Sequence, residues 1–246
     1  MARQDLYLSS PWTNAAGSLG FIPPAGWNWD APMGAFVTNP VSLSARTPAG
    51  ERGLVEHPGG FLLHSGFPNP GLRALLKTAA RHWAGQHLPV WVHLLGEGPQ
   101  PVERMVRACE ELEGVMALEL GLPPRASPSE WLDLAQAGLG ELPLVVCVPL
   151  NAVGEPWVEK LPGLGASAVC LSAPRGALPG AGGRLASGRL YGPGLLPLVF
   201  EALRRLSGLG IPLIAGCGVY DLAAGQALIT AGAWAVQVDA ALWQPR

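Results

Sequence analysis

The sequence predicts a single (β/α)8 barrel spanning residues 1–246, and three observations carry that prediction. Apolar runs of strand length alternate with stretches of helical periodicity along the whole chain. That is the pattern of parallel βαβ units, whose strands are covered on both faces and so lack polar alternation. A length of 246 residues fits one such barrel. The C-terminal stretch 211–243, IPLIAGCGVYDLAAGQALITAGAWAVQVDAALW, is a complete unit in itself: a buried strand at 211–215, a turn bearing Gly216 and Gly218, a helix capped by Asp221, and a second buried strand at 233–238.

The elements follow in order. Residues 5–17, DLYLSSPWTNAAG, predict an N-terminal strand or hairpin leading into the first barrel strand. The Pro- and Trp-rich segment after it, with Pro23, Pro24, Trp27 and Trp29, predicts a loop with one short helical turn. Residues 34–43 supply the second strand, interrupted by Pro40. From 46 to 71 the chain runs without regular periodicity, and a loop of that length inside a compact domain is usually functional. Leu72, Leu75, Leu76, Ala79, Ala80 and Trp83 then recur at helical spacing.

Strands at 89–96, 114–122, 142–150 and 166–172 alternate with helices marked by Val102, Met105, Val106 and Cys109, by a cap at Ser127 or Ser129, and by a poor helical stretch at 157–161. A second excursion, 173–194, is dense in Gly and Arg and precedes a helix at 195–206. The chain stops at 244–246, so the eighth helix is expected to be missing or truncated, leaving barrel wall for something else to cover.

Composition narrows the function classes. A net charge of −2 with no basic cluster argues against nucleic acid. No apolar run approaches the roughly 20 residues of a membrane span, and the N-terminus has no signal-peptide core, so a cytoplasmic protein is expected. Charged residues are only 14%, against roughly 25% in an average soluble chain, which predicts a surface partly covered by a partner. Cys109, Cys147, Cys170 and Cys217 lie far apart with no C-x-x-C pair, so neither a zinc site nor a redox dithiol is written in the sequence. Lysine is nearly absent: only Lys77 and Lys160 occur.

Several short motifs occur in a telling order: Thr13-Asn-Ala-Ala-Gly17, Val37-Thr-Asn39, Pro58-Gly-Gly60, and His64-Ser-Gly-Phe-Pro-Asn-Pro-Gly71, followed by the closing βαβ unit. Together they resemble the class 1 dihydroorotate dehydrogenases, FMN-dependent barrels of pyrimidine biosynthesis, from about residue 5 to the C-terminus. The resemblance implies FMN cradled by the strand ends, orotate over the flavin, and a loop cysteine or serine taking the substrate proton. Ala16, Gly17, Asn39, Cys147, Gly192, Cys217, Gly218, Asp239 and Ala240 fall at the FMN positions. His64, Asn69 and Asn151 fall at substrate positions, and Asn14 also matches the family.

The resemblance breaks where the chemistry would lie. The family's lysines, one at the end of strand two and another in strand five, are matched by Asn39 and Cys147, and both surviving lysines fall in helical segments. Strand four ends Glu119-Leu-Gly-Leu-Pro-Pro124 in place of an asparagine-rich motif, and the long loop with the proton acceptor is gone. Asp239 stands in the expected phosphate cup. A carboxylate about 4 Å from a phosphate costs about 4 kcal/mol at an effective dielectric of 20.

Three readings follow. One is a non-catalytic, dihydroorotate dehydrogenase-like subunit without FMN, pairing with a catalytic paralogue or with itself. Another is an active FMN oxidoreductase in which Arg175, Arg184 and Arg189 fold over the mouth and replace the lost cations. The third, ranked last, is a sensor or lyase-like barrel using Asp239, Glu119 and His93; His93 is otherwise expected to be a satisfied core histidine. No metal is expected.

Overall fold

The structure is a computed structural model that describes residues 5–25, 29–50, 53–180 and 184–243. In chain order it places β1 (Trp12–Asn14), β2 (Phe36–Val37), β3 (Leu54–His57), β4 (Gly60–Leu63), α1 (Leu72–Ala84), β5 (Val90–Leu95), α2 (Pro99–Glu110), β6 (Val115–Gly121), α3 (Pro128–Ala137), β7 (Leu144–Pro149), α4 (Leu161–Leu164), β8 (Ala168–Ser172), β9 (Arg175–Pro179), β10 (Leu185–Tyr191), α5 (Leu196–Leu206), β11 (Leu213–Ala215), α6 (Leu222–Thr230) and β12 (Ala235–Val238).

Eight parallel strands form one sheet in the order β1-β12-β11-β8-β7-β6-β5-β2, and the bridge between Thr13 and Ala35 brings its two ends together. The expected α/β barrel is therefore present. Strand periodicity of two divides its side chains. Ala35, Val37, Trp91, Ala117, Val145, Cys147, Ala168, Cys170, Ile214 and Ala235 point inward and form a barrel core. Their alternates, among them Phe36, Val90, Val92, Leu118, Leu144, Val146, Val169 and Val236, face outward and pack under the helices. Leu6, Leu8 and Trp234 pack against the inner core.

The structure corrects the expected layout at three places. Only Trp12–Asn14 is strand within the described N-terminal region; residues 5–11 form no hairpin. The predicted helical turn after it is absent from the described residues, and Trp27 lies outside them. The two long excursions are not irregular loops. Each folds into an antiparallel hairpin, β3–β4 and β9–β10, and the two join as a separate four-stranded sheet in the order β3-β4-β10-β9. Glycines permit that junction: a Cβ on Gly188 would lie 2.5 Å from the Leu63 carbonyl oxygen, and one on Gly60 would run into that of Tyr191.

Other features stand as expected. Ser127 caps α3 in a full capping box with Glu130, and Asp221 caps α6 by accepting from the Ala224 amide at 2.7 Å. After β12 the described chain makes one 3-10 turn, Ala240–Trp243, and residues 244–246 lie outside the described residues.

Candidate functional site at the barrel mouth

The upper layer of the barrel interior is polar. His93 on β5, Glu119 on β6 and Gln237 on β12 point inward two residues along from apolar core positions, and all three are buried. His93 Nδ1 lies 2.6 Å from Glu119 Oε1, and Gln237 Nε2 donates to Glu119 Oε2 at 2.6 Å. The Cys170 thiol on β8 donates to Gln237 Oε1 at 3.3 Å. Beside it on β7 stands Cys147, its register partner.

Burial alone would lower the His93 imidazole, but the adjoining Cys147 and Glu119 outweigh it and raise the group above its ordinary value. Burial works against the Glu119 carboxylate too, yet His93 and Gln237 hold it below the usual range. Glycines make room for this layer: a Cβ on Gly121 would come within 2.5 Å of His93 Nε2, and one on Gly216 within 2.4 Å of the Cys170 sulfur.

Above this layer the rim has two unlike halves. At the ends of β11 and β12, Asp239 is 3% exposed. Its Oδ1 accepts the Ala240 amide at 2.6 Å, and among the described residues Oδ2 is buried without a hydrogen-bond partner. Burial pushes this carboxyl up to about 7, against the pull of nearby backbone amides. The second sheet roofs this half. Tyr191 on β10 stacks on Phe61 of β4 with ring centroids 5.0 Å apart and tilts against Trp243 at 5.6 Å, while Trp243 Nε1 donates to the Ser18 carbonyl. What remains is a cavity of about 20 Å³ lined by His93, Glu119, both thiols, Arg189, Tyr191 and Asp239 among others.

The other half, at the ends of β5 and β6, is open. A pocket of about 410 Å³ lies between those strand ends and the second sheet, with Arg46, His64, Phe67, Arg175 and Arg189 on its walls. Arg175 and Arg189 are direct cross-strand partners on β9 and β10, so their side chains share a face. Arg189 lies over the Phe67 ring, 5.0 Å from its centroid. Burial lowers the Arg175 guanidinium, and the neighbouring charges of Arg189 and Arg125 add to the effect. Among the described residues no carboxylate pairs with either arginine. Glu97 is taken by Arg46 at 2.7 Å, and Glu130 by the Ser127 cap.

The residues singled out from the sequence separate accordingly. Ala16, Cys147 and Asp239 line the small cavity, Cys217 and Ala240 are buried, and Gly218 makes its turn at φ 77°. Gly17 also turns with positive φ, next to Pro40. Asn39 bonds the backbone of Gly20 at 3.0 Å rather than reaching the mouth. Asn14 ties β1 to β2 by bonding both the amide and the carbonyl of Val37. Asn69 is buried and bonds Ser42, Phe67 and Gly71.

Gly192 lets β10 leave the second sheet against Gly59. His64 is exposed on the wall of the open pocket, and Asn151 is exposed beyond β7. Lys77 and Lys160 are exposed, as expected of outer helices. Ser129 joins the cap at Ser127. Arg175 and Arg189 do fold over the mouth, whereas Arg184 is exposed near the start of β10. The Glu119–Gln237 contact was missed, because nothing local in the sequence shows which strands close the barrel.

No family model matches the chain. Curated relatives do: it is 29% identical over 123 residues to the catalytic subunit of dihydroorotate dehydrogenase B (NAD(+)) from Desulforudis audaxviator, a match covering 50% of this chain and 40% of that protein. A similar subunit from Pelobacter propionicus is 29% identical over 118 residues, covering 48% of this chain and 39% of the relative. The match thus spans well under half the length of these relatives. It supports a distant relationship to dihydroorotate dehydrogenase, on an α/β barrel.

Proposed function

We propose that this chain is a degenerate barrel of the class 1 dihydroorotate dehydrogenase type that has given up FMN and its redox chemistry and acts as a non-catalytic subunit beside a catalytic paralogue in pyrimidine biosynthesis. The observation that carries this reading is Asp239. Its Oδ1 accepts the Ala240 amide at 2.6 Å, and it stands beside Gly218, where a phosphate at this strand end would need free amides. The residues present do not fit FMN. A cavity of about 20 Å³ has no room for an isoalloxazine, and neither Asn39 nor Cys147 supplies a cation for a reduced flavin.

The open half of the mouth keeps the means to bind a small planar carboxylate. Among the described residues Arg175 and Arg189 lack carboxylate partners, and Phe67 offers a ring face. Binding of orotate without turnover is the activity that this geometry suits. The paralogue is inferred from low surface charge and from Leu54 and Leu185, which the second sheet leaves 54% and 71% exposed.

A second reading, an active flavin oxidoreductase with a rearranged site, draws on one observation: Arg189 lines both the open pocket and the small cavity, where it would replace a lost cation. The visible spectrum of the protein purified from its native cell decides between them. The expected result is a colourless protein that takes up no FMN on titration, reduces no acceptor with dihydroorotate, and co-purifies with a second barrel chain. A yellow protein that oxidises dihydroorotate would overturn the proposal.

A further inference from the structure

The open half of the mouth carries more positive charge than a single carboxylate needs. We infer that its pocket takes a phosphate monoester of a one-ring nucleoside, with the phosphate at Arg125, Arg175 and Arg189 and the sugar hydroxyls toward Asp133. The inference rests on the reading of this half as a ligand pocket and goes beyond orotate in naming what fills it. It does not depend on the loss of FMN.

The cationic end comes first. Arg175 and Arg189 are cross-strand partners, both half-buried, and both line the pocket. Arg125 sits between β6 and α3, flanked by Pro124 and Ala126, which line the same pocket. Burial lowers the Arg175 guanidinium first, and the charges of Arg189 and Arg125 lower it further. The ion pairs among the described residues leave all three arginines out. Guanidinium groups held together repel one another, and an anion between them relieves that repulsion. A phosphate monoester brings a charge of about −1.5 to −2 at neutral pH, against one for a carboxylate, and its oxygens match the guanidinium fork.

The opposite wall has the opposite character. Of the three carboxylates that line the pocket, Glu97 pairs with Arg46 at 2.7 Å and Glu130 accepts from the Ser127 amide at 2.7 Å. Asp133 on α3 is left, exposed and outside every ion pair among the described residues. A carboxylate there accepts hydrogen bonds from hydroxyl or ring N–H groups and repels a phosphate, which fixes the direction in which a ligand lies.

Between the two ends the lining is apolar, with Leu95, Leu122, Pro123 and Leu134 beside the ring of Phe67. Phe67 is the one non-glycine among the described residues with a positive φ, 53°. Its amide donates to Ser65 Oγ at 3.1 Å, and its carbonyl accepts from Asn69 Nδ2 at 3.0 Å. A bulky residue held in that region carries strain of the kind found where a side chain is presented to a ligand. At about 410 Å³ the pocket falls within the roughly 300–1,000 Å³ of sites for drug-sized ligands. A single ring with a carboxylate leaves much of it empty.

The test is titration calorimetry of the full chain, at one salt concentration, with uridine monophosphate, uridine, ribose phosphate, inorganic phosphate and orotate. The expected result is that the nucleotide binds at least about tenfold tighter than each of the others. Arg125→Ala weakens the nucleotide by about tenfold and leaves uridine unchanged. Phe67→Leu weakens the nucleotide and uridine and leaves ribose phosphate unchanged. The ranking on the unmutated chain reads the site even where a variant fails to fold. A nucleotide that binds no tighter than uridine, or no tighter than ribose phosphate, overturns the inference. If orotate binds and the nucleotide gains nothing over it, this inference fails and the orotate reading stands. If the nucleotide binds as expected and orotate does not bind, the orotate reading fails and this inference stands.

Discussion

The two halves of the barrel mouth are built on the same scaffold and have been filled in opposite ways. At β11 and β12 a carboxyl group occupies the Ala240 amide and an aromatic cluster of Phe61, Tyr191 and Trp243 lies over it, leaving about 20 Å³. At β5 and β6 a pocket of about 410 Å³ remains, walled by arginines. Backbone architecture does not distinguish the two. A few side chains do: a buried carboxyl group marks the closed half, and Arg175 and Arg189, without a carboxylate partner among the described residues, mark the open one.

The sharpest way to break this contrast is to remove the group beneath both halves. Glu119→Ala leaves His93 and Gln237 buried without their partner, and loss of one member of a buried pair costs about 3–5 kcal/mol. Urea denaturation would register it, and an unchanged midpoint would show that the network contributes nothing to stability.

The closed half can be sharpened through pH. The Asp239 carboxyl titrates near 7 when folded, against 3.8 as its ordinary value. Between those values the folded chain holds a proton that the unfolded chain has released, so stability falls as pH rises. The slope is up to about 1.4 kcal/mol per pH unit, ending above about pH 7. Asp239→Asn should flatten the profile and leave the variant more stable than the parent at pH 8, as read by thermal melts from pH 5 to 8.

In the open half, Arg175→Ala should weaken orotate binding by about tenfold or more, as expected for one lost charge-assisted hydrogen bond. Calorimetry measures this directly. Arg184→Ala, on the exposed start of β10, should leave binding unchanged. The smallest effect is at the rim of the same pocket: Ser127→Ala removes the α3 cap and costs about 1 kcal/mol without altering the arginines.

The sequence made the barrel legible because its strands are near-continuous apolar runs such as Leu144–Pro149, and because Ser127 and Asp221 announce their helices. The second sheet was not legible. β3 is largely solvent-facing, with Leu54 and Glu56 exposed, and β10 is interrupted by Gly188, so neither carries the apolar signal of a core strand. The Asp239 conflict could be read directly, since it depends on one residue at one strand end. The inner layer could not. His93, Glu119, Cys147 and Cys170 each sit on a different strand, and only the closure of the barrel places them together. His93 was expected to be satisfied, and on its Nδ1 side it is.

The junction of β4 with β10 joins two hairpins that form from local contacts but lie far apart along the chain. Each hairpin can zip early, whereas their pairing has to wait until the barrel between them has closed. The second sheet is therefore expected to exchange its amide hydrogens before the barrel strands do, as native-state hydrogen exchange would measure.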